Sequence, residues 1–157
     1  MIEEDDEFKK KHLQTLLLEL RNKVTSNETK YFHVNTIENL IVHFQQIKTE
    51  NDKNWVYQSL VEYFEQCSKS LPSIDRQTSK DLFDTYIDKV TDYYHNNVGF
   101  TMLINRSVVY GVYILAILIC YIFFSWYVLV GVICVIIFQT IRTYKKFKAK
   151  KVYGLFW

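Results

Sequence analysis

Hydrophobic residues in the first two thirds of the chain recur at intervals of three and four positions, which is the spacing of one helix face. Four segments carry this pattern, over residues 7–24, 35–47, 53–70 and 79–95. We therefore expect four amphipathic helices packed as a small bundle, and no strands, because the alternation typical of strands is absent. The residues predicted to face the core are Phe8, Leu13, Leu16, Leu17, Leu20 and Val24 in the first helix, Ile37, Leu40, Ile41, Phe44 and Ile47 in the second, Trp55, Val56, Leu60, Phe64 and Cys67 in the third, and Leu82, Phe83, Tyr86, Ile87, Val90, Tyr93 and Tyr94 in the fourth.

Polar and turn-forming residues give the predicted boundaries of this domain. Asn35 followed by Glu38 resembles a capping box, so the second helix is expected to begin there. The fourth helix is expected to stop just before Gly99, because glycine readily adopts the conformation that ends a helix. The soluble helical domain is thus predicted to cover residues 1–98, with a connector over residues 99–106.

The next 34 positions, residues 107–140, contain no charged side chain. An uncharged run of more than about 18 apolar residues is typical of a membrane-spanning segment. One continuous helix of this length would be about 51 Å long, against a hydrocarbon core of about 30 Å. Two helices, at about 107–123 and 127–143, would each be about 25 Å long, so we expect a transmembrane helical hairpin over residues 107–143. Its turn, FFSWY, lacks Gly, Pro and Asn, which leaves one long helix inside a protein complex as the alternative.

Aromatic residues favour the hairpin, since Trp and Tyr prefer the membrane interfaces. A hairpin places Trp126 and Tyr127 as anchors at the far interface, whereas a single span would bury them at the bilayer centre. It also places Tyr110, Tyr113 and Tyr144 near the other interface.

Charged residues set the predicted direction of insertion. Residues 1–106 carry a net charge of −4, whereas residues 107–157 carry six basic residues and no acidic one. Basic residues that flank a membrane segment belong on the cytosolic side. The N-terminal sequence MIEEDDEFKKKH has no feature of a signal peptide, so we expect both the helical domain and a basic-aromatic tail, residues 144–157, in the cytosol. The predicted basic clamp consists of Arg106, Arg142, Lys145, Lys146, Lys148, Lys150 and Lys151.

Motifs that carry enzyme chemistry are not found in the sequence. It has no glycine-rich phosphate loop, no HExxH or CxxC motif, and no cluster of Cys and His with metal-ligand spacing. We therefore expect no catalytic activity, no cofactor and no bound metal ion. Four small residues of the apolar run, Gly111, Ala116, Gly131 and Cys134, are expected to let the two membrane helices approach each other closely.

The fourth helix carries an acidic face opposite its apolar face. This face consists of Asp81, Asp84, Asp88 and Asp92. It is either a solvated outer surface or a docking surface for a basic partner, which could be the basic tail of the same chain. We take it as the candidate partner surface.

These features predict an all-α, non-enzymatic integral membrane protein. Its partners are expected to be anionic membrane lipids and either another protein or a second copy of itself, with no role in nucleic-acid binding. The helical domain would then act as an accessory, assembly or regulatory subunit of a membrane complex. A long apolar stretch with cytosolic ends is also similar to reticulon-like membrane-shaping hairpins, which implies membrane remodelling as an alternative. An immunity or inhibitor protein against a membrane-acting toxin is the third hypothesis.

Overall fold

The structure, a computed structural model, describes residues 2–71, 73–103, 106–123 and 126–154. The described part is mostly helical, as expected for an all-α protein. Two compact units are formed, one from Met1–Met102 together with Lys150–Trp157 and the other from Leu103–Ala149. The side chain of Arg106 and the centre of the predicted membrane turn, residues 124–125, lie outside the described residues.

The described residues of the first unit form five α-helices and a pair of short strands. A single 3-10 turn, Phe44–Gln46, follows the second helix, and a five-residue π-helical turn, Phe83–Ile87, joins the fourth helix to the fifth. The elements of the first unit are α1 (Ile2–Lys23), α2 (Val34–Val42), α3 (Glu50–Ser70), α4 (Arg76–Leu82), α5 (Asp88–Asn97), β1 (Thr101–Met102) and β2 (Val152–Tyr153). The second unit contains α6 (Arg106–Phe123) and α7 (Trp126–Lys148), which pack against each other.

The predicted apolar faces form most of the core of the first unit. Helix α1 packs against α2 and α3, and the π-helical turn packs against α3. Two predicted core residues lie at the surface instead, since Phe8 is 66% exposed and Trp55 is 37% exposed. Phe8 stacks on the ring of His12, while Trp55 meets the edge of Tyr93 with ring centroids 6.2 Å apart. Both rings therefore cover the margin of the core rather than its interior.

Helix α2 does not begin at the predicted cap. It starts at Val34, so Asn35 is an exposed residue inside the helix and forms no cap. The residue before the helix is His33, which has a left-handed backbone conformation with φ of 47° and is fully buried. Its Nε2 atom lies 3.0 Å from the carbonyl oxygen of Ser79. The start of α2 is thus determined by burial of Val34 and His33, not by a side-chain cap.

The fourth predicted helix is longer than expected and is interrupted. It begins at Arg76 because the carboxylate of Asp75 accepts hydrogen bonds from the backbone N–H groups of Gln77 and Thr78, at 2.8 and 2.9 Å. The predicted end is confirmed, since α5 stops at Asn97 and Gly99 follows with φ of 83°. Between these points the π-helical turn divides the run into α4 and α5.

Strands were not expected, yet β1 and β2 form a two-stranded parallel sheet. Thr101 pairs with Val152, and Met102 pairs with Tyr153. The domain boundaries also differ from the expected ones. Helix α7 continues to Lys148, and the chain rejoins the first unit at Lys150, within the predicted tail.

Candidate functional site

The surface of α6 and α7 is the most unusual feature of the molecule. Among the described side chains of these helices, Leu129 alone is buried. Many of the large hydrophobic side chains along both helices are exposed, with exposed fractions between 38% and 87%. Contiguous exposed apolar surfaces mark contacts with a membrane or a protein partner, because soluble monomers rarely carry them. The second unit is therefore the first candidate functional site.

Length and composition allow α7 to cross a membrane. An 18-residue window of the helix Trp126–Lys148 has a mean hydropathy of 1.8, and the helix is long and apolar enough to span a bilayer. In α6 the described apolar part, Val108–Ile122, is shorter. At about 1.5 Å per residue, α7 measures about 24 Å from Trp126 to its first basic residue, Arg142. This length is somewhat below the thickness of a hydrocarbon core, which is about 30 Å.

The predicted aromatic anchors lie on the surface of the second unit. Trp126 and Tyr127, at the start of α7, are 69% and 87% exposed, and Tyr110 and Tyr144 are also exposed. Tyr113 is partly buried. Exposed Trp and Tyr side chains at helix ends suit a membrane interface, where the ring is buried and the polar atom stays hydrated.

The structure divides the predicted basic clamp between the two units. Four of its residues lie in the last two turns of α7, and the Nζ of Lys148 is 5.1 Å from the centre of the Tyr144 ring. Lys150 and Lys151 instead belong to the first unit and contact its backbone and side chains. The four residues on α7 are Arg142, Lys145, Lys146 and Lys148.

The expected close approach of α6 and α7 at their glycines is wrong. Apart from its chain neighbours and its own helix backbone, a Cβ atom added to Gly111 or Gly131 would meet no atom within 4 Å. Both glycines face open space, so neither lies where the two helices touch. They are small residues on the outer surface of the helix pair.

A second candidate site lies where the chain returns to the first unit. Residues Lys150–Gly154, which we call the closing segment, pack between α2 and β1. The backbone N–H of Thr101 donates a hydrogen bond of 3.0 Å to the carbonyl oxygen of Lys151, and the Nζ of Lys151 donates to the carbonyl oxygen of Val98 at 3.1 Å. Val152, Tyr153 and Gly154 are buried. The closing segment is thus part of the core of the first unit.

Side chains of α2 bind the backbone of the closing segment on its other side. The hydroxyl of Thr36 donates to the carbonyl oxygen of Gly154 at 2.9 Å and accepts from the N–H of the same glycine at 3.1 Å. The Nδ2 of Asn39 donates to the carbonyl oxygen of Val152 at 2.8 Å. Thr36 and Asn39 are both buried, so these bonds satisfy polar groups that have no access to water. We call the surface formed by α2 and β1 the acceptor cleft.

An ion-pair cluster fixes the start of the closing segment. Glu38 on α2 pairs with Lys150 at 2.7 Å and with Arg21 on α1 at 2.5 Å. The hydrogen bond from Lys150 and the charge of Arg21 hold the pKa of the Glu38 carboxyl below its usual value. Glu38 therefore connects α1, α2 and the closing segment.

The candidate acidic surface is exposed and lies close to the end of the closing segment. Asp81, Asp84, Asp88 and Asp92 are all exposed. Partial desolvation of its carboxylate by neighbouring atoms, with the nearby charges of Asp92 and Asp84, raises the pKa of Asp88. Burial and the charges of Asp92 and Asp88 likewise raise the pKa of Tyr153. Tyr153 is thus a described residue of the tail that lies near the acidic surface. The basic residue Lys150 pairs with Glu38 instead.

A groove between α1 and α3 is a further open surface of the first unit. It has a volume of about 190 Å³. Leu20 and Phe64 are among the apolar residues that line it, and Glu19, Lys23 and Glu65 are among the charged ones.

Of the three cysteines, Cys67 is buried, whereas Cys120 is partly buried and Cys134 is exposed. Burial raises the pKa of the Cys67 thiol to about 12, which keeps it protonated and unreactive. The described residues contain no group of three or more His, Cys, Asp or Glu side chains placed to hold a metal ion.

Comparison with known proteins identifies no relative, since no family model, no curated sequence and no solved structure matches this chain significantly. The fold and the two candidate sites thus stand on their own geometry. Sequence reasoning missed the acceptor cleft because Thr36 and Asn39 are 118 and 113 residues from their partners.

Proposed function

We propose that this protein is a non-enzymatic integral membrane protein whose helices α6 and α7 enter the bilayer as a hairpin. In this proposal the first unit stays on the cytosolic side, at the membrane surface. It binds a protein partner there and acts as an accessory, assembly or regulatory subunit of a membrane complex.

The proposal rests on one observation. Along the chain, α6 and α7 come between β1 and β2, and these two strands are hydrogen-bonded to each other. The N–H of Thr101, before α6, is 3.0 Å from the carbonyl oxygen of Lys151, after α7. A single crossing would separate these groups by the thickness of the hydrocarbon core, about 30 Å. The strand pair therefore supports an even number of crossings, with both ends of the apolar segment on one side.

The orientation is proposed from charge. Arg142 and the lysines in the last turn of α7 follow its apolar part directly, and basic residues in this position favour the cytosolic side. Each basic residue close to an anionic leaflet contributes about 1 kcal/mol to membrane binding. Anionic lipids on the cytosolic face are therefore the proposed lipid partners.

The binding role is proposed from two exposed surfaces of the first unit. The four aspartates of the acidic surface lie in α4, the π-helical turn and α5, and they suit a basic protein segment. The α1–α3 groove is the second surface. A domain held at a membrane with such surfaces is suited to recruit or retain a partner.

The acidic surface can be tested by reversing one charge. In Asp84→Lys, we expect chemical cross-linking in intact membranes to lose a specific partner that the wild-type protein retains. Glu62→Lys, on the exposed side of α3, makes the same charge change elsewhere and is expected to keep that partner. Partners retained equally by both variants would contradict this use of the acidic surface.

Membrane shaping is the second candidate, and the short apolar length of α7 favours it. A hairpin of about 24 Å would act as a wedge or would thin the bilayer locally. Purified protein that converts flat liposomes into tubules without any partner would support this alternative. Liposomes that keep their shape at the same protein density would count against it.

A further inference from the structure

We propose that the acceptor cleft also binds the closing segment of a second copy of this chain, so that two copies exchange Lys150–Gly154. This inference rests on the hairpin topology proposed above, because exchange requires that both closing segments lie on the same side of one membrane. The partner copy would contribute a strand without which each core is incomplete.

The closing segment is bound in the way that proteins bind extended peptides. One edge of the segment pairs with β1 through its backbone, and Thr36 and Asn39 bind its backbone on the other side. Main-chain pairing at a sheet edge gives affinity, and buried side chains give specificity. Val152 is fully buried and Tyr153 nearly so, which provides two anchors for such a ligand. The contacts needed for binding thus lie within five consecutive residues.

The connection that holds this ligand in place is short and strained. Helix α7 ends at Lys148, and Lys150 already pairs with Glu38. Lys150 has φ of 54°, in the left-handed region that non-glycine residues rarely adopt. Short hinges under strain favour domain swapping, because an extended hinge in the exchanged form relieves the strain.

A second copy is the occupant that the contacts specify. Glu38 is placed between Arg21 and Lys150, and Thr36 uses its hydroxyl as both donor and acceptor toward Gly154. Every one of these contacts can form unchanged between two copies. Confinement of two hairpins to one bilayer, in the same orientation, raises the effective concentration of each closing segment near the other cleft.

The test uses two co-expressed copies with different tags, in a background that carries Cys120→Ala and Cys134→Ala. One copy carries Met102→Cys and the other Tyr153→Cys, since these positions pair across the two strands. Paired strand positions lie within the distance that a disulfide requires. A disulfide between the two copies, formed in membranes under mild oxidation, is the expected result. The background cross-linking is measured by combining Phe8→Cys with Tyr153→Cys, because Phe8 is exposed on α1.

Two hinge variants separate strain from ion pairing. Lys150→Gly removes both the strain and the ion pair with Glu38, whereas Glu38→Gln keeps the strain and removes that ion pair together with the one to Arg21. We expect Lys150→Gly to lower the yield of the inter-copy disulfide roughly tenfold more than Glu38→Gln does, because a left-handed non-glycine residue costs about this factor in population.

The outcomes are distinguishable. If the Met102→Cys/Tyr153→Cys double variant closes only within single copies, and the two-copy experiment yields no more than the Phe8 control, exchange is overturned while the strand pair stands. If no disulfide forms in either arrangement, the strand pair and the exchange are both overturned. The side of the membrane on which each end lies is measured separately by labelling, so failure of the hairpin topology is recognised independently.

Discussion

Thr36 shows at the scale of one residue how the closing segment is held. Its hydroxyl forms two hydrogen bonds with Gly154, at 2.9 and 3.1 Å, in a buried position. A polar residue in the apolar stretch of α2 could be read from the sequence, but its partner could not, since local patterns contain no information about contacts 118 residues away. The same is true of Asn39.

Replacement of Thr36 tests these bonds. Thr36→Val keeps the shape and removes both hydrogen bonds, which leaves the N–H and carbonyl of Gly154 buried without this partner. We expect a loss of about 1–3 kcal/mol in the free energy of unfolding of the first unit, measured by chemical denaturation in mild detergent. Thr36→Ser keeps the hydroxyl and is expected to lose less. Equal losses in the two variants would show that the hydroxyl contributes little.

Glu38 gives a prediction with a defined pH dependence. The pKa of its carboxyl is lowered from an ordinary value of 4.5, chiefly by the hydrogen bond from Lys150. A lowered pKa in the folded state stabilises the fold above the unfolded-state value, and this contribution is lost as the pH falls through the lowered pKa. Glu38→Gln should therefore cost about 0.5–1 kcal/mol at pH 7 and progressively less below pH 4.5, since the group is partly exposed.

The control for Glu38 is Glu7, which pairs with Lys11 on the exposed surface of α1. Glu7→Gln removes a similar ion pair that connects no second element. We expect a smaller change in thermal unfolding temperature at pH 7 than for Glu38→Gln. A change as large as that of Glu38→Gln would contradict the role of Glu38 in joining three elements.

At the scale of elements, helical spacing predicted most of the first unit. The apolar faces of α1, α2, α3 and α5 supply its core, because one buried face on each helix is enough to specify packing. The starts of helices were predicted less well. Asn35 resembles a cap, but burial of Val34 makes α2 begin one residue earlier. Asp75, which does cap α4, lies outside the apolar pattern, so that pattern did not indicate it as the start of a helix.

The strands β1 and β2 could not be predicted from pattern. Each has two residues, which is too short for an alternation to be recognised, and their pairing joins segments about fifty residues apart. The π-helical turn could not be predicted from the sequence pattern either, because one extra residue in a turn changes the phase of the apolar face without removing it.

The apolar surface of α6 predicts the effect of a charge at its centre. Leu115 is 59% exposed near the middle of this helix. In a bilayer, Leu115→Arg would place a charge in hydrocarbon at a cost of about 2.5–3.5 kcal/mol. We expect a marked fall in the fraction of protein that resists alkaline carbonate extraction from membranes. On a surface that faces water, the same substitution would be nearly neutral.

A matched control for Leu115 is Phe8, which is similarly exposed on α1. Phe8→Arg adds the same charge to the first unit and is expected to leave membrane integration unchanged. If Leu115→Arg integrates as well as Phe8→Arg, then α6 does not lie in the hydrocarbon core.

At the scale of the whole molecule, the order of elements along the chain is the informative feature. The first unit is discontinuous, because α6 and α7 are inserted between β1 and β2. Its core is complete only when the chain has passed through both apolar helices and returned. Hydropathy predicts the apolar segment. The return of the chain to the same unit depends on contacts of Thr36, Glu38 and Asn39 with residues 118, 112 and 113 positions away, which leave no local pattern in the sequence.

The proposed hairpin can be tested through the accessibility of single cysteines to a membrane-impermeant maleimide, in sealed vesicles of known orientation. Cys120 and Cys134 are replaced by alanine, and Cys67 is kept because it is buried. Single cysteines are then placed at Phe8 on α1, at Tyr127 near the start of α7 and at Lys148 at its end.

The hairpin topology predicts that Phe8→Cys and Lys148→Cys are labelled from the same, cytosolic side, and that Tyr127→Cys is not labelled from that side. Labelling of Phe8→Cys and Lys148→Cys from opposite sides would show a single crossing and would contradict this topology. Labelling of all three positions from one side would show that the helix pair does not cross the membrane, and would contradict it equally.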